Sequence, residues 1–274
     1  MPYSGPLDLV GGAVVAYGHR ALSASWLGND IYTIHRDLDD AEMAFACDAT
    51  TGDAPAGDIT TFIDTGNGYG VLWNDQSGNG RDLAGPFQTK DLPQWSASVL
   101  NSLPGWVASN PANAALNYAS YDADFDNAGV TVFMVASQGG DIFLNNGSAA
   151  YVELYAGDTS SIGPYVDMND TSNDADIVYD PMDVPGIVLI DAAWQYGAED
   201  FKVNGASITL VTDYSYGGGP IGNIDGCRST AYLYNPDLSG TTSLLEIIVY
   251  PSILSGGDRD AVRANIAAYY GITL

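Results

Sequence analysis

A short polar segment of the chain, residues 73–83, contains side chains whose types and spacing could bind a ligand. It reads WNDQSGNGRDL and follows an apolar run, which predicts a shaped loop at the end of a strand. Asp75, Gln76 and Asn79 could hydrogen-bond a ligand in front of this loop. They could instead close the loop on its own backbone, because Asp and Asn bond nearby main chain and glycines permit positive φ. We favour the structural role and keep ligand binding as the alternative.

Residue patterns for triad or zinc-assisted hydrolysis are missing from the sequence. His19 and His35 are the only histidines, and His35 falls in a predicted strand where a structural role is favoured. The motifs G-x-S-x-G and H-E-x-x-H do not occur. Cys47 and Cys227 are the only cysteines, so two buried free thiols are favoured over one disulfide between them.

The charge of the chain limits its partners. It has 34 acidic and 8 basic residues, a formal net charge of -26. Such an excess argues against direct binding to nucleic acid or to an anionic membrane, since both need basic patches, and it favours a solvated acidic surface over a dedicated cation site. Residues 170–176 could offer oxygen ligands to calcium, but their spacing fits no defined loop. We therefore predict no cofactor and assign no metal.

The elements that must position these residues are predicted to be strands. Short β-prone runs separated by turn residues occur at 130–136, 151–156, 186–192, 201–211 and 244–250. The third and fifth runs are almost continuously apolar, which predicts strands covered on both faces. Asn204 and Gly205 predict a two-residue hairpin turn within the fourth run.

One helix is predicted, at the C-terminal end of the chain. Ser255 and Asp258 resemble a capping box, Val262 and Ile266 have helical spacing, and Gly271 is a suitable stop. A single helix after a buried strand is expected to pack on the outside of the sheet.

Two polar stretches, Asp167 to Asp176 and Asp213 to Gly219, are predicted to be loops. We favour solvent-exposed connections, and ligand-facing loops are the alternative.

No repeat or linker divides the chain convincingly, so we expect one domain over residues 1–274, with residues 1–15 as a possible arm. The N-terminal segment lacks the pattern of a secretory signal, and no run reaches the roughly 18 apolar residues of a membrane span.

Three segments carry a resemblance to known families. Residues 20–45, RALSASWLGNDIYTIHRDLDDAEMAF, and residues 73–83 resemble the opening of the arabinofuranosidase B catalytic domain. Residues 244–272, LLEIIVYPSILSGGDRDAVRANIAAYYGI, are similar to the closing strand and helix of phage and bacterial laminin-G-like proteins. Both resemblances imply an all-β fold, a concanavalin A-like two-sheet antiparallel jelly-roll sandwich with one C-terminal helix.

The arabinofuranosidase resemblance also implies where catalytic carboxylates would lie. The nucleophilic Glu of that family follows a Val-Asp-Met segment, and the matching residue of this chain is Asn169, whose amide cannot form a glycosyl ester. Asp167 or Asp170 is a neighbouring substitute for the nucleophile, and Asp237 is a loose equivalent of the acid/base. The resemblance therefore gives only weak support for a nucleophile and for an acid/base residue in this chain.

Jelly-roll lectins use aromatic side chains beside Asp and Asn acceptors, so the resemblance also implies sugar binding. Trp194, Tyr214 and Tyr216 lie near predicted strand ends with polar neighbours and are the candidate platforms. Core or edge packing is the alternative role for each of them.

Together these features predict a non-enzymatic phage virion protein, a decoration or fibre component on the virion surface that is assembled in the host cytoplasm. Its expected partners are other virion proteins or further copies of itself, and host-surface glycans. The first alternative is an arabinofuranosidase-like glycoside hydrolase that uses Asp167 and Asp237. The second is an extracellular bacterial surface adhesin.

Overall fold

A computed structural model of the chain shows antiparallel strands in most of the part that it describes. Described are residues 2–85, 92–107, 114–117, 129–137, 140–145, 151–155, 165–169, 174–179, 186–194, 200–207, 210–216, 228–233 and 243–274. For residues 114–117, 140–145, 151–155, 165–169, 174–179, 194, 210–216 and 228–233, the description covers the backbone alone.

These ranges contain nineteen strands and three α-helices. The strands are β1 (Val15–Gly18), β2 (Asp30–Arg36), β3 (Ala41–Ala46), β4 (Gly68–Trp73), β5 (Leu83–Ala84), β6 (Gln94–Leu100), β7 (Leu103–Val107), β8 (Ala114–Asn117), β9 (Val130–Ala136), β10 (Gly140–Asn145), β11 (Tyr151–Tyr155), β12 (Tyr165–Asn169), β13 (Asp174–Tyr179), β14 (Val188–Trp194), β15 (Asp200–Val203), β16 (Ala206–Ser207), β17 (Leu210–Tyr216), β18 (Arg228–Leu233) and β19 (Ser243–Tyr250). The helices are α1 (Pro6–Leu9), α2 (Ala56–Ile63) and α3 (Gly256–Tyr270).

The first sheet, which we call the inner sheet, has the order β1, β19, β9, β14, β15 and β16, with every pair antiparallel. Every residue of β9 and β19 is buried, as are residues 188–193 of β14. The prediction of strands covered on both faces is confirmed for residues 188–192 and 244–250, whereas residues 186 and 187 precede β14 and are not buried.

The second sheet, the outer sheet, has the order β3, β2, β4, β5, β8, β18, β10, β11, β12, β13 and β17. The β6–β7 hairpin joins the two sheets, because β6 pairs with β4 and β7 pairs with β19. Between the sheets lies one apolar core, which includes Tyr32, Trp73, Met134 and Ile247. The predicted all-β antiparallel sandwich is confirmed.

The C-terminal helix α3 covers the opposite face of the inner sheet. Val262 and Ile266 belong to one apolar cluster with Phe133 and Ile248 of that sheet. The Ser255 hydroxyl accepts a hydrogen bond from the Asp258 amide at 3.2 Å, and Gly271 ends the helix with φ 65°. The predicted helix, its start, its end and its position outside the sheet are confirmed. Helices α1 and α2 were not predicted, since four and eight residues are too few to show a helical period.

A buried ionic cluster fixes α3 to the inner sheet. Arg259 and Arg263 both donate to the carboxylate of Asp191, which is fully buried in β14. Burial raises the pKa of Asp191, although both guanidinium groups act to lower it. Removing one partner of such a cluster leaves a charge in the interior without compensation, so the cluster ties the position of the helix to that of the strand.

Local details of the inner sheet also agree with the sequence. Strand β9 has the predicted bounds, and the hairpin turn at Asn204 and Gly205 has positive φ at both residues, 49° and 78°.

Cys47 is a buried free thiol, as predicted. Cys227 lies outside the described residues.

The prediction of loops at Asp167 to Asp176 and at Asp213 to Gly219 is wrong for most of both stretches. Residues 167–169 belong to β12, residues 174–176 to β13 and residues 213–216 to β17. Aspartate is depleted in strands in general, so an Asp-rich stretch resembles a loop even where polar and apolar residues alternate.

An aromatic cluster encloses His19 at the centre of the core. The imidazole ring lies 5.0 Å from the ring of Trp106, 5.2 Å from Trp73 and 5.4 Å from Tyr32, measured between centroids. Among the described residues, no group meets hydrogen-bond geometry with either ring nitrogen. Burial lowers the pKa of His19 to about 3, and the nearby backbone of Leu244 opposes that shift only in part.

Because His19 is buried in its neutral form, we predict that acid destabilises the fold. An unfolded imidazole binds a proton below about pH 6.5, whereas the folded one stays neutral until about pH 3. Its contribution to stability is therefore complete above pH 6.5 and is lost as the pH falls, by about 1.4 kcal/mol per pH unit. Urea denaturation between pH 6 and pH 4 should give a shallower pH slope for His19→Phe than for the parent. Equal slopes would contradict the buried neutral state.

Candidate functional site

The loop at residues 73–83 lies along the free edge of β1. The Ala16 amide of β1 donates to Asp75 Oδ1 at 2.9 Å, and the Gln76 amide donates to the Ala16 carbonyl at 2.7 Å. Strand β1 pairs with β19 on its other side. The loop therefore takes the place that a neighbouring strand would occupy.

Side chains of the loop complete this edge. The Gly18 carbonyl accepts a hydrogen bond from Trp73 Nε1 at 3.1 Å. The Val14 carbonyl accepts from Asn79 Nδ2 at 3.1 Å and from Arg81 Nη1 at 2.9 Å. Because an unpaired backbone group is costly when buried, these bonds explain why the loop is so polar.

The three loop residues predicted to face a ligand contact the backbone of the chain itself. The Asp75 carboxylate also accepts from the amides of Ser77 and Arg81, both at 3.0 Å. Gln76 accepts from the Leu22 amide and donates to the Arg20 carbonyl, and both Asp75 and Gln76 are buried. Asn79 is exposed. Ligand binding by these residues stays a prediction.

Removing the Asp75 carboxylate tests the two roles of the loop. Asp75→Ala leaves the buried Ala16 amide and two loop amides without their acceptor, so we expect a loss of about 3 kcal/mol in the free energy of unfolding. The exposed Asp58→Ala is the control and should change it by less than about 0.5 kcal/mol. A stable Asp75→Ala variant that had lost only glycan binding would show instead that the carboxylate serves a ligand.

A second set of polar residues lies together on the outer sheet. Residues directly opposite each other in antiparallel strands share one face of the sheet. The register of β11, β12, β13 and β17 therefore forms one row across four strands, made of Glu153, Asp167, Asp176 and Tyr214. The next row on the same face is made of Tyr151, Asn169, Asp174 and Tyr216. We call these eight positions the carboxylate face.

The other face of the same strands is mostly apolar. Its register positions include Val152, Leu154, Val166, Met168 and Ile177. Such alternation is typical of antiparallel strands that cover a core with one face only. The register therefore assigns most polar and most apolar positions of these strands to opposite faces of the outer sheet.

The structure brings some predicted site residues together and separates others. Asp167, Tyr214 and Tyr216 share the carboxylate face. Trp194 ends β14 opposite Val130 and so belongs to the inner sheet. Asp237 lies outside the described residues.

Sequence reasoning missed Glu153, and it considered Asp174 and Asp176 only as part of a stretch that could offer oxygen ligands to calcium. A signal was present, because residues 174–179 read DADIVY, in which the first four residues alternate between Asp and an apolar side chain. Asn169, the position that resembles the nucleophile, lies directly opposite Asp174. The carboxylate position directly opposite Asn169 thus comes from a neighbouring strand.

Among the described residues, no group of three or more His, Cys, Asp or Glu side chains is arranged to hold a metal ion. In the same part of the chain, no helix has the length and apolar character to cross a membrane.

Known proteins of similar structure include arabinofuranosidases. A GH54 α-L-arabinofuranosidase soaked with a cyclic sulfate inhibitor matches with a TM-score of 0.69 and 17% identity, over 97% of this chain and 65% of that one. An arabinofuranosidase complexed with arabinofuranosyl-α-1,2-xylobiose matches with a TM-score of 0.69 and 15% identity over the same shares. The chain thus spans just under two-thirds of their length. At this identity the likeness shows the fold alone.

Comparison by sequence adds no relative. No protein-family description matches the chain, and no curated protein matches it either.

Proposed function

We propose that this protein binds carbohydrate on the carboxylate face and does not hydrolyse it. The observation that carries the proposal is the register, which places carboxylate and tyrosine positions side by side on one face of four adjacent strands. Carboxylates accept hydrogen bonds from sugar hydroxyls, and aromatic rings offer an apolar surface with a polar rim. Neighbouring strands lie about 4.8 Å apart, so these groups recur at a spacing that an extended glycan could follow.

The proposal that the protein does not hydrolyse carbohydrate rests on Asn169. This residue stands at the position that resembles the nucleophile of the arabinofuranosidase family, and its amide cannot form the covalent intermediate of a retaining glycosidase. The similarity to arabinofuranosidases supports a carbohydrate-binding fold, and the activity of those proteins is not carried over with it.

Glycoside hydrolysis is the second candidate function, and one observation favours it. Glu153 and Asp167 lie directly opposite each other, and opposed residues have Cβ atoms about 5 Å apart. Retaining glycosidases place two carboxyl groups about 5 Å apart. This pair differs from the pair Asp167 and Asp237 that the resemblance implied.

Glycan-array binding and hydrolysis of 4-nitrophenyl α-L-arabinofuranoside separate the two functions. We expect binding without turnover, and a loss of binding of at least about tenfold for Tyr214→Ala and for Asp167→Asn. The exposed Asp58→Asn removes the same charge elsewhere and should bind like the parent. Turnover that Asp167→Asn or Glu153→Gln abolishes would overturn the proposal in favour of the hydrolase. If the array shows neither binding nor turnover, the carboxylate face is not a carbohydrate site.

We further propose that this binding serves on a phage particle, in a head or tail decoration or a fibre, in contact with other virion proteins or with further copies of the chain. The resemblance of residues 244–272 to laminin-G-like proteins supports this setting. Quantitative mass spectrometry of purified virions should detect the chain in stoichiometric copies. Its absence from virions, together with its presence on the surface of intact bacteria, would favour the adhesin.

A further inference from the structure

A small polar cleft lies between the N-terminal segment and the loop at residues 73–83. Its volume is about 190 Å³, and its walls come from α1, from the turn at residues 11–13, from residues 23 and 25 and from residues 76 and 77. None of these residues belongs to the carboxylate face. We call it the N-terminal cleft.

Hydroxyl groups line this cleft, and contacts within the chain hold them in place. Ser23 Oγ and Ser25 Oγ lie 2.8 Å apart, and Ser77 Oγ donates to Asp75 Oδ2 at 2.8 Å. Because these groups are already oriented, binding them to a ligand costs little conformational entropy.

The walls of the cleft are fixed as well. The Asp8 carboxylate accepts hydrogen bonds from the Gly5 amide at 2.9 Å and from the Ala24 amide at 2.8 Å, which joins α1 to the segment that carries the serines. Gln76, which also lines the cleft, accepts a hydrogen bond from the Leu22 amide and donates one to the Arg20 carbonyl. The cleft is therefore a feature of the folded chain.

The charge of the cleft selects the class of ligand. Asp8 is the one ionisable residue in its lining, and the lining contains no Lys, Arg or His. A sulfate, phosphate or uronic acid would meet a carboxylate without a compensating cation, in a chain of net charge -26. The lining suits a neutral ligand that donates and accepts many hydrogen bonds.

The size of the cleft and its glycines limit the ligand further. Pockets for drug-sized molecules begin at roughly 300 Å³, so this smaller cleft suits a single ring. A Cβ atom at Gly11 or Gly12 would meet nothing within 4 Å, so the backbone of this wall is open to a ligand.

We propose that the N-terminal cleft binds one neutral monosaccharide unit, as a second sugar site separate from the carboxylate face. The hydroxyls of Ser23, Ser25 and Ser77 and the carboxylate of Asp8 are its polar contacts, and Leu7 and Ala13 form the apolar part of the wall. The proposal does not require that the carboxylate face binds glycans.

Saturation-transfer NMR on the full chain tests this with methyl α-L-arabinofuranoside, methyl β-D-galactopyranoside and D-glucuronic acid as probes. Gly11→Phe should fill the cleft without backbone strain, because Gly11 does not adopt a positive φ and has open space around it. Gly57→Phe on α2 adds the same side chain at another open glycine and is the control. Ser25→Tyr is a second blocking variant should Gly11→Phe fail to fold.

We expect saturation transfer to at least one neutral glycoside, a Kd at least about tenfold higher in the blocking variants, and no change in Gly57→Phe. D-glucuronic acid should show no saturation transfer. The proposal is overturned if no neutral glycoside binds, if the blocking variants bind like the parent, or if glucuronic acid binds equally well. Loss in Tyr214→Ala alone would assign the sugar to the carboxylate face, so the two sites can fail independently.

Discussion

The closure of the free edge of β1 is the interaction on which the rest of the structure depends. One edge of this strand pairs with β19, and the other meets no strand among the described residues. Asp75, Gln76, Asn79 and Trp73 supply the hydrogen bonds that a neighbouring strand would provide. An open edge exposes unpaired backbone groups and invites association with other chains. Because the same loop follows β4, this closure also joins the inner sheet to the outer sheet.

Because both faces of the inner sheet are buried, the carboxylates within it need cationic partners, and three of the few basic residues of the chain supply them. Arg20 is buried against Glu246 with contacts of 2.9 and 3.1 Å, and Arg259 and Arg263 are buried against Asp191. A carboxylate inside an apolar layer needs such a partner. Three of the eight basic residues are therefore internal counter-ions, which leaves the acidic surface largely uncompensated.

The inner sheet and α3 could be predicted from sequence because their signals are local. Continuous apolar runs identify β9 and β19, two residues of turn chemistry identify the hairpin at Asn204, and Ser255 and Gly271 bound the helix. The partner of the polar loop could not be predicted, because Ala16 lies 59 residues from Asp75 and the contact is a property of the assembled sandwich. The carboxylate face was missed for the same reason. Alternation assigns residues to two faces of one strand, whereas only the register shows that Glu153, Asp167 and Asp176 meet in one row.

That row separates the residues that specify the fold from those that could serve a function. The loop at residues 73–83 has its polar groups engaged by the backbone, and the fold needs them there. The register places Glu153, Asp167 and Asp176 in directly opposed positions, where like charges destabilise a sheet and uncharged polar residues would suit the strands as well. A cost of this kind is expected where a ligand compensates for it, and sugar hydroxyls, which donate hydrogen bonds to carboxylates, are ligands of that kind. The strands that carry the row, rather than the loop that resembles a known family, are therefore where the function of this sandwich should be sought.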